Sequence, residues 1–411
     1  MPDFVRRALV PSVPVLVFLV CLLFVLSTGP AWMFGDGDTG WHLATGRLIA
    51  SSGHVPTQDS FSWTARGTPW VAFEWLTDLA YYGLYQWCGY LGPLVFDAAS
   101  IALAYAFIAQ AALDAGCELI STLLVTGWAF YLSSIHWFVR PHVRTWLFLA
   151  LWYWLLMRHR RERDRLVWLV PASMPIWVNL HGGWPTGLML LVLFAAAHLD
   201  SGSGESAGRA WPARRWALLI LATLAASLVN PYGPRLHAEI LQQVNATAVQ
   251  NITQEWQSPD FRGNARAFRP FLLGVLASMP FLPVPLQPLG WFLLLLSLHM
   301  VFESIRHLTV FLIWMTPIAL LGIKGALERF SGLVPRAGAW LARLLELERR
   351  AGSRLRGVSG AIWPIAALAL AVAGAFPPSL RSGPAGFPAD RFPEAAAEYL
   401  KVHPPQGRMV N

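Results

Sequence analysis

The amino-acid sequence predicts an all-α polytopic membrane protein with about 11 transmembrane helices. Of its 411 residues, 55% are hydrophobic and only 13% are charged, and the mean hydropathy is +0.46. A soluble domain cannot bury that much apolar side chain. Apolar runs close to the ~20 residues that cross a bilayer as a helix recur along the whole chain. They cover residues 9–29, 91–112, 117–135, 143–157, 166–180, 183–199, 214–230, 269–284, 288–303, 306–323 and 361–379.

The distribution of Lys and Arg predicts the orientation of these helices. Arg6 and Arg7 precede the first run, which has no small-residue cleavage pattern and is therefore expected to stay as an anchor. With the amino terminus in the cytoplasm, most basic residues fall on the cytoplasmic side. We assign the net charge of +8 to this topology and to contact with anionic lipid, and we expect no nucleic-acid partner.

The same topology sorts the unusual polar residues onto one face. We expect a transmembrane domain over 1–380, with extracytoplasmic loops at 29–89 and 230–269 and a basic cytoplasmic segment at 324–356. The polar tail 381–411 should be extracytoplasmic and has the composition of a helix over Pro393–Val402. Its ending resembles a truncated chain or the edge of a missing small soluble domain. The polar residues expected on the extracytoplasmic face include Asp36, Asp38, Glu74, Arg140, His142, Arg144, Asn179, His181, Tyr232, Glu255, Arg306 and His307.

Two carboxylates follow the first apolar run. Asp36 and Asp38 lie in the stretch Gly35–His42, just outside the membrane, where charged groups are rare because their desolvation is costly. One acid can act as a general base while the other orients it. Alternatively, Asp38 caps the helix that follows. His42 shares a helical face with Asp38, so we also consider a divalent cation, Mg²⁺ or Mn²⁺, bound by Asp36, Asp38 and His42.

An ordered set of motifs resembles the GT-C superfamily of integral-membrane glycosyltransferases, in particular a little-studied bacterial branch. The resemblance extends from the first apolar run to about Pro317. It is carried by the motifs at Asp36–Arg47, Asp59–Trp63, Pro69–Leu76, Asn179–Gly183 and Asn230–Gly233.

This resemblance implies transfer of a sugar from a polyprenyl-phosphate donor to a glycan, lipid or protein acceptor outside the cytoplasm of a bacterium. It implies Asp36 or Asp38 as the base, and we favour Asp36 because Asp38 is the better cap. The chemistry agrees, because phosphate leaves without a strong acid catalyst, so a single carboxylate suffices for direct displacement with inversion. Glycoside hydrolases instead need two carboxylates in two roles.

The leaving phosphate needs cationic ligands, for which the sequence offers three places. Arg140, His142 and Arg144 surround a proline in a short extracytoplasmic turn, although they could instead contact lipid headgroups. The other two places are His181, beside two glycines, and the pair Arg306 and His307.

Aromatic and polar residues of the two extracytoplasmic loops are candidates for substrate binding. Glu74 could hydrogen-bond an acceptor sugar and Trp75 could stack on it, although such a tryptophan is also typical of a membrane interface. The remaining candidates are His42, Asn179, Tyr232 and Glu255. Asn179 could instead belong to a tight turn.

Two further functions fit this sequence. A transporter or flippase of lipid-linked or anionic substrates would carry ionisable residues at mid-membrane depth, where this chain has mainly Asp97. A non-catalytic relative would bind polyprenyl phosphate as a scaffold. The clustering of charge at one face favours surface chemistry over transport.

Overall fold

The computed structural model shows a helical protein. It describes residues 9–28, 30–199, 211–244, 253–331, 343, 346–347, 359–360, 362–374, 386–388 and 390–404. Within these ranges the only extended pairing is an isolated antiparallel bridge between Gln58 and Pro69. The longer helices are α1 Val13–Thr28, α2 Asp38–Ser52, α3 Trp75–Cys88, α4 Leu91–Asp114, α5 Leu119–Ser133, α6 His142–Glu162, α7 Leu169–Leu180, α8 Pro185–Leu199, α9 Ala213–Ala226, α10 Pro234–Val244, α11 Phe268–Ser278, α12 Gln287–Glu303, α13 Leu308–Ser331, α14 Ile362–Val372 and α15 Glu394–Val402.

A helix is present at each of the eleven apolar runs of the sequence. In the described part of the chain, four helical stretches are long and apolar enough to cross a membrane, namely Leu91–Asp114, Leu119–His136, Val284–Glu303 and Ile305–Phe330. Shorter apolar helices accompany them, including Val13–Ser27 and Pro185–His198. The protein is therefore a helical, membrane-associated protein.

Helix α4 lies at the centre of the bundle, with α1 and α6 packed along it and α13 against its side. The sequence explains this position, because α4 is rich in alanine and lets neighbouring helices approach closely. Helix α2 packs against α3, and α3 packs in turn against the start of α4.

An ion pair is buried inside the bundle at that end of α4. Arg144 of α6 binds Asp97 of α4, and both side chains are almost fully buried. Tyr81 of α3 donates its hydroxyl hydrogen to Asp97 at 2.6 Å, and Arg144 also bonds to Ser100. Its guanidinium lies 3.6 Å from the ring centre of Phe96. This pair locks α3, α4 and α6 together.

Part of the carboxy-terminal tail is described. The helix predicted from its composition is confirmed as α15. Ahead of it, the ring of Phe387 packs edge-on against Phe34 and Tyr90, at centroid distances of 5.8 Å and 5.6 Å. The predicted basic segment 324–356 is described only at 324–331, 343 and 346–347, and the rest of it lies outside the described residues.

Candidate functional site

The two aspartates after α1, Asp36 in the loop and Asp38 at the start of α2, belong to a stretch that is tied to the segment ahead of α6. The Val139 N–H donates to the Met33 carbonyl at 2.8 Å, and the Thr39 hydroxyl donates to the Val139 carbonyl at 2.7 Å. These bonds place Arg140, the next residue, against the loop. Residues about a hundred positions apart in the chain thus form one side of the site.

Arg140 is bound by three carboxylates. Its Nη1 lies 2.9 Å from Asp36 Oδ2 and 3.1 Å from Glu255 Oε2, and its Nη2 lies 2.8 Å from Asp38 Oδ2. Burial opposes the charge of Arg140, but the carboxylates of Glu255, Asp38 and Asp36 outweigh that effect and raise its pKa. Arg140 is thus the centre of a charged cluster.

Glu255 joins a second arginine to this cluster. Its Oε1 lies 3.5 Å from Arg306 Nη1, and the Arg306 guanidinium lies 4.5 Å from the ring centre of Trp256. The Ser304 hydroxyl donates to the Glu255 carbonyl at 2.8 Å and fixes this arrangement. Glu255 therefore bridges Arg140 and Arg306.

The interpretation of Asp38 as the helix cap is wrong. Asp38 is the first residue of α2, the preceding Gly37 makes no side-chain cap bond, and it is Asp36 Oδ1 that accepts the Asp38 N–H at 2.9 Å. Asp36 is thus the carboxylate with a structural role at the helix start. The helix-cap argument, which favoured Asp36 over Asp38 as the base, therefore no longer holds.

A second group of titratable residues lies between α2 and α3. His42 Nδ1 lies 2.7 Å from Asp78 Oδ1, and its Nε2 lies 3.8 Å from Glu74 Oε2. Burial alone would lower the pKa of His42, but the charge and hydrogen bond of Asp78, together with Glu74, more than offset it and raise the pKa. Burial raises the pKa of Glu74 to about 7, although His42 acts in the opposite direction.

His181 approaches Glu74 from the opposite side. The Gly183 N–H donates to His181 Nδ1 at 3.0 Å, and the Thr145 hydroxyl lies 2.7 Å from the same nitrogen. Burial and the guanidinium groups of Arg306 and Arg140 lower the pKa of His181, so the ring is neutral. Because Nδ1 accepts, the proton is assigned to Nε2, which lies 3.3 Å from Glu74 Oε1.

Three of the six predicted phosphate ligands are bonded to other partners. Arg144 is buried and bound to Asp97, which does not fit contact with a ligand. His142 Nε2 donates to the His136 carbonyl at 2.9 Å, and His307 Nδ1 donates to the Met300 carbonyl at 3.1 Å. Both histidine side chains therefore bond to backbone carbonyls that lie six or seven residues earlier in the chain.

Three predicted substrate-binding residues connect scaffold elements. Trp75 Nε1 donates to Asn179 Oδ1 at 2.7 Å, and the Asn179 amide donates to the Pro175 and Val229 carbonyls. The Tyr232 hydroxyl donates to the Pro56 carbonyl at 2.6 Å and accepts the Ala72 N–H at 2.9 Å. Their polar atoms hold α3, α7 and the second loop together.

The residues proposed for a divalent cation do not form a ligand set. Asp36 and Asp38 bind Arg140, whereas His42 directs its ring nitrogens at Asp78 and Glu74. Within the described part of the chain, no group of three His, Cys, Asp or Glu side chains has an arrangement that could hold a metal ion.

Asp78 is the site residue that sequence reasoning missed. It lies four residues after Glu74, the residue that precedes α3, so the two carboxylates fall on one side of this helix and meet His42 together. The same spacing that paired Asp38 with His42 in the sequence could have revealed it.

Comparison with known proteins identifies no relative: no family model, curated protein or solved structure matches this chain. The chemistry of the site is therefore inferred from its own residues.

Proposed function

We propose that this protein is a membrane glycosyltransferase that moves a hexose or pentose from a polyprenyl-phosphate donor to an extracytoplasmic acceptor, with inversion. The observation that carries the proposal is the charged cluster of Asp36, Asp38, Arg140, Glu255 and Arg306. In this proposal about 11 helices cross a bacterial inner membrane, the amino terminus is cytoplasmic, and the cluster lies on the extracytoplasmic face.

The position of the cluster suits a lipid-linked donor. Arg306 is the second residue of the candidate span Ile305–Phe330, which directly follows the span Val284–Glu303, and Arg140 follows the end of Leu119–His136. Charged groups at the ends of spanning helices lie at headgroup depth. A polyprenyl tail in the bilayer would bring its phosphate to the same depth.

The two arginines provide the ligands that a leaving phosphate requires. Guanidinium groups bind phosphate and carboxylate in similar geometry, because both offer paired anionic oxygens. Glu255 therefore occupies the position between Arg140 and Arg306 that a phosphate would take. When the donor binds, its phosphate displaces this carboxylate, and the arginines stabilise the negative charge that develops as the sugar leaves.

Binding of polyprenyl phosphate tests the phosphate site. Native mass spectrometry of the purified protein in detergent should show one bound polyprenyl phosphate, and Arg306→Gln should weaken its binding at least tenfold. Glu255→Gln should bind as tightly as the wild type or more tightly, because a competing anion is removed. Arg266→Gln is the matched control, since Arg266 is an exposed arginine of the loop 230–269, which also carries Glu255.

Transfer is tested with donors that carry radiolabelled hexoses and pentoses, with a membrane extract as the source of acceptor. We expect labelled product and free polyprenyl phosphate in equal amounts. Binding without transfer would instead support the non-catalytic scaffold. A wild-type protein that does not bind polyprenyl phosphate, or an Arg306→Gln variant that binds it normally, contradicts the proposal.

A further inference from the structure

Glu74 is the one carboxylate of the site that faces two imidazoles. Its Oε1 lies 3.3 Å from His181 Nε2, and its Oε2 lies 3.8 Å from His42 Nε2. The Glu74 side chain is 17% exposed, so a ligand can reach it, whereas that of His42 is only 8% exposed. Among the described residues, no arginine lies within ion-pair distance of its carboxylate.

Asp36 and Asp38 are in a different situation. Both bind Arg140, and Asp36 also accepts the N–H of Asp38. A carboxylate oxygen that is paired with a guanidinium must give up that ion pair before it can take a proton. These two aspartates hold the arginine in place, which suits a role in donor binding.

The surroundings of Glu74 also place a positive charge beside it. His42 Nδ1 is bound to Asp78, so the remaining nitrogen of the ring faces Glu74. A carboxylate behind an imidazole stabilises its protonated form. The protonated His42 therefore directs its Nε2–H at Glu74 across 3.8 Å and favours the ionised form of that carboxylate.

We propose that Glu74 is the catalytic base of this site and that His42, with Asp78 behind it, and His181 position Glu74. The role rests on the proposed glycosyl transfer. In the step, the acceptor oxygen forms a bond to the anomeric carbon while the bond from that carbon to the phosphate oxygen breaks. The hydroxyl proton passes to Glu74, and the polyprenyl phosphate leaves with the bonding electron pair.

This assignment makes the rate depend on pH, because only the deprotonated Glu74 accepts a proton. The catalytic rate should rise with pH through about 7, where burial places the pKa of Glu74. The charged and titratable groups around Glu74 come from every neighbouring element. They are His42 on α2, Asp78 on α3, Arg140 ahead of α6, His181 after α7 and Arg306 ahead of α13.

The deciding experiment compares Glu74→Gln with the wild type in the transfer assay and in the polyprenyl-phosphate binding assay. We expect kcat to fall about 100-fold or more, the contribution typical of a general base, while phosphate binding changes less than twofold. Glu303→Gln is the matched control, because Glu303 is an exposed glutamate at the end of α12. Asp36→Asn should weaken donor binding and leave the pH profile in place.

His42→Gln provides a measurement that a merely structural role would not move. The positive charge of His42 lowers the pKa of Glu74, so its removal should shift the rising limb of the pH profile to higher pH. This test applies even if Glu74→Gln fails to fold.

The outcomes separate the two proposals. If the wild type transfers sugar but Glu74→Gln loses less than tenfold in kcat, or if the His42→Gln profile does not move, the role of Glu74 is refuted and the glycosyltransferase proposal stands. If the wild type neither binds polyprenyl phosphate nor transfers sugar, the proposed function fails and the role of Glu74 fails with it.

Discussion

The close contact between α2 and α3 yields a sharp prediction for Gly46→Ala. A Cβ on Gly46 would lie 2.0 Å from the Asp78 carbonyl oxygen and 2.7 Å from Tyr82 Cβ. An ordinary contact begins near 3.4 Å, so the two helices would have to separate by about 1.4 Å. Because the nearest atom belongs to the backbone of α3, no side-chain rotation relieves the clash.

The magnitude follows from two opposing effects. Overpacking against backbone costs about 3 kcal/mol, whereas alanine gains about 1 kcal/mol over glycine inside a helix. We therefore expect Gly46→Ala to lower the free energy of unfolding by about 2 kcal/mol. The matched control is Gly83→Ala in α3, because a Cβ on Gly83 meets no atom within 4 Å. This variant should raise the free energy of unfolding by about 1 kcal/mol.

Thermal unfolding in one detergent, followed by tryptophan fluorescence at one scan rate, measures the difference. Gly46→Ala should melt about 5 °C below Gly83→Ala. It should also reduce transfer, because His42 lies one turn before Gly46 and its 2.7 Å bond to Asp78 would stretch beyond hydrogen-bonding distance. A Gly46→Ala protein that melts at or above Gly83→Ala would refute the close packing of the two helices.

Two further predictions concern buried charge. Asp97→Asn should lower the unfolding free energy by about 3–5 kcal/mol, because it leaves the Arg144 guanidinium buried without a countercharge, and an unchanged melting temperature would contradict this. Glu74→Gln should stabilise the protein at about pH 8 but not at about pH 5. The pKa of Glu74 rises from 4.5 to about 7 on folding, so the folded protein holds a proton that the unfolded chain has lost, and stability declines as pH increases through that window. The free energy of unfolding of the wild type falls by on the order of 3 kcal/mol across that window. If the melting temperatures of the wild type and Glu74→Gln respond identically to pH, the prediction is contradicted.

The helical elements were readable from the sequence because they depend on composition. An apolar run of sufficient length forms a helix in a membrane whatever its neighbours are, since every backbone group must be bonded within the segment. The tail helix Glu394–Val402 was readable for a similar local reason. The number of membrane crossings is a different matter, because many of the helices are shorter than ~20 residues.

The residues of the site could be predicted only in part from the sequence. The sequence pointed to Asp36, Asp38, Arg140, Glu255 and Arg306, and the structure brings all five into one cluster. It also pointed to residues whose type suits a ligand but whose partners lie far along the chain. Arg144 binds Asp97 and Asn179 binds Trp75. The sequence around these residues does not predict either pairing.

By itself, the sequence determined a helical membrane protein with its ionisable groups gathered near particular helix ends, because desolvation cost and hydrophobic length are properties of composition. Only the tertiary structure decided how those groups are divided. Asp36 and Asp38 meet Arg140, whereas Glu74 meets two histidines, because the packing of α2 on α3 and the bonds between residues 33 and 139 set which side chains share a space. That division distinguishes a carboxylate that holds an arginine from one that can accept a proton.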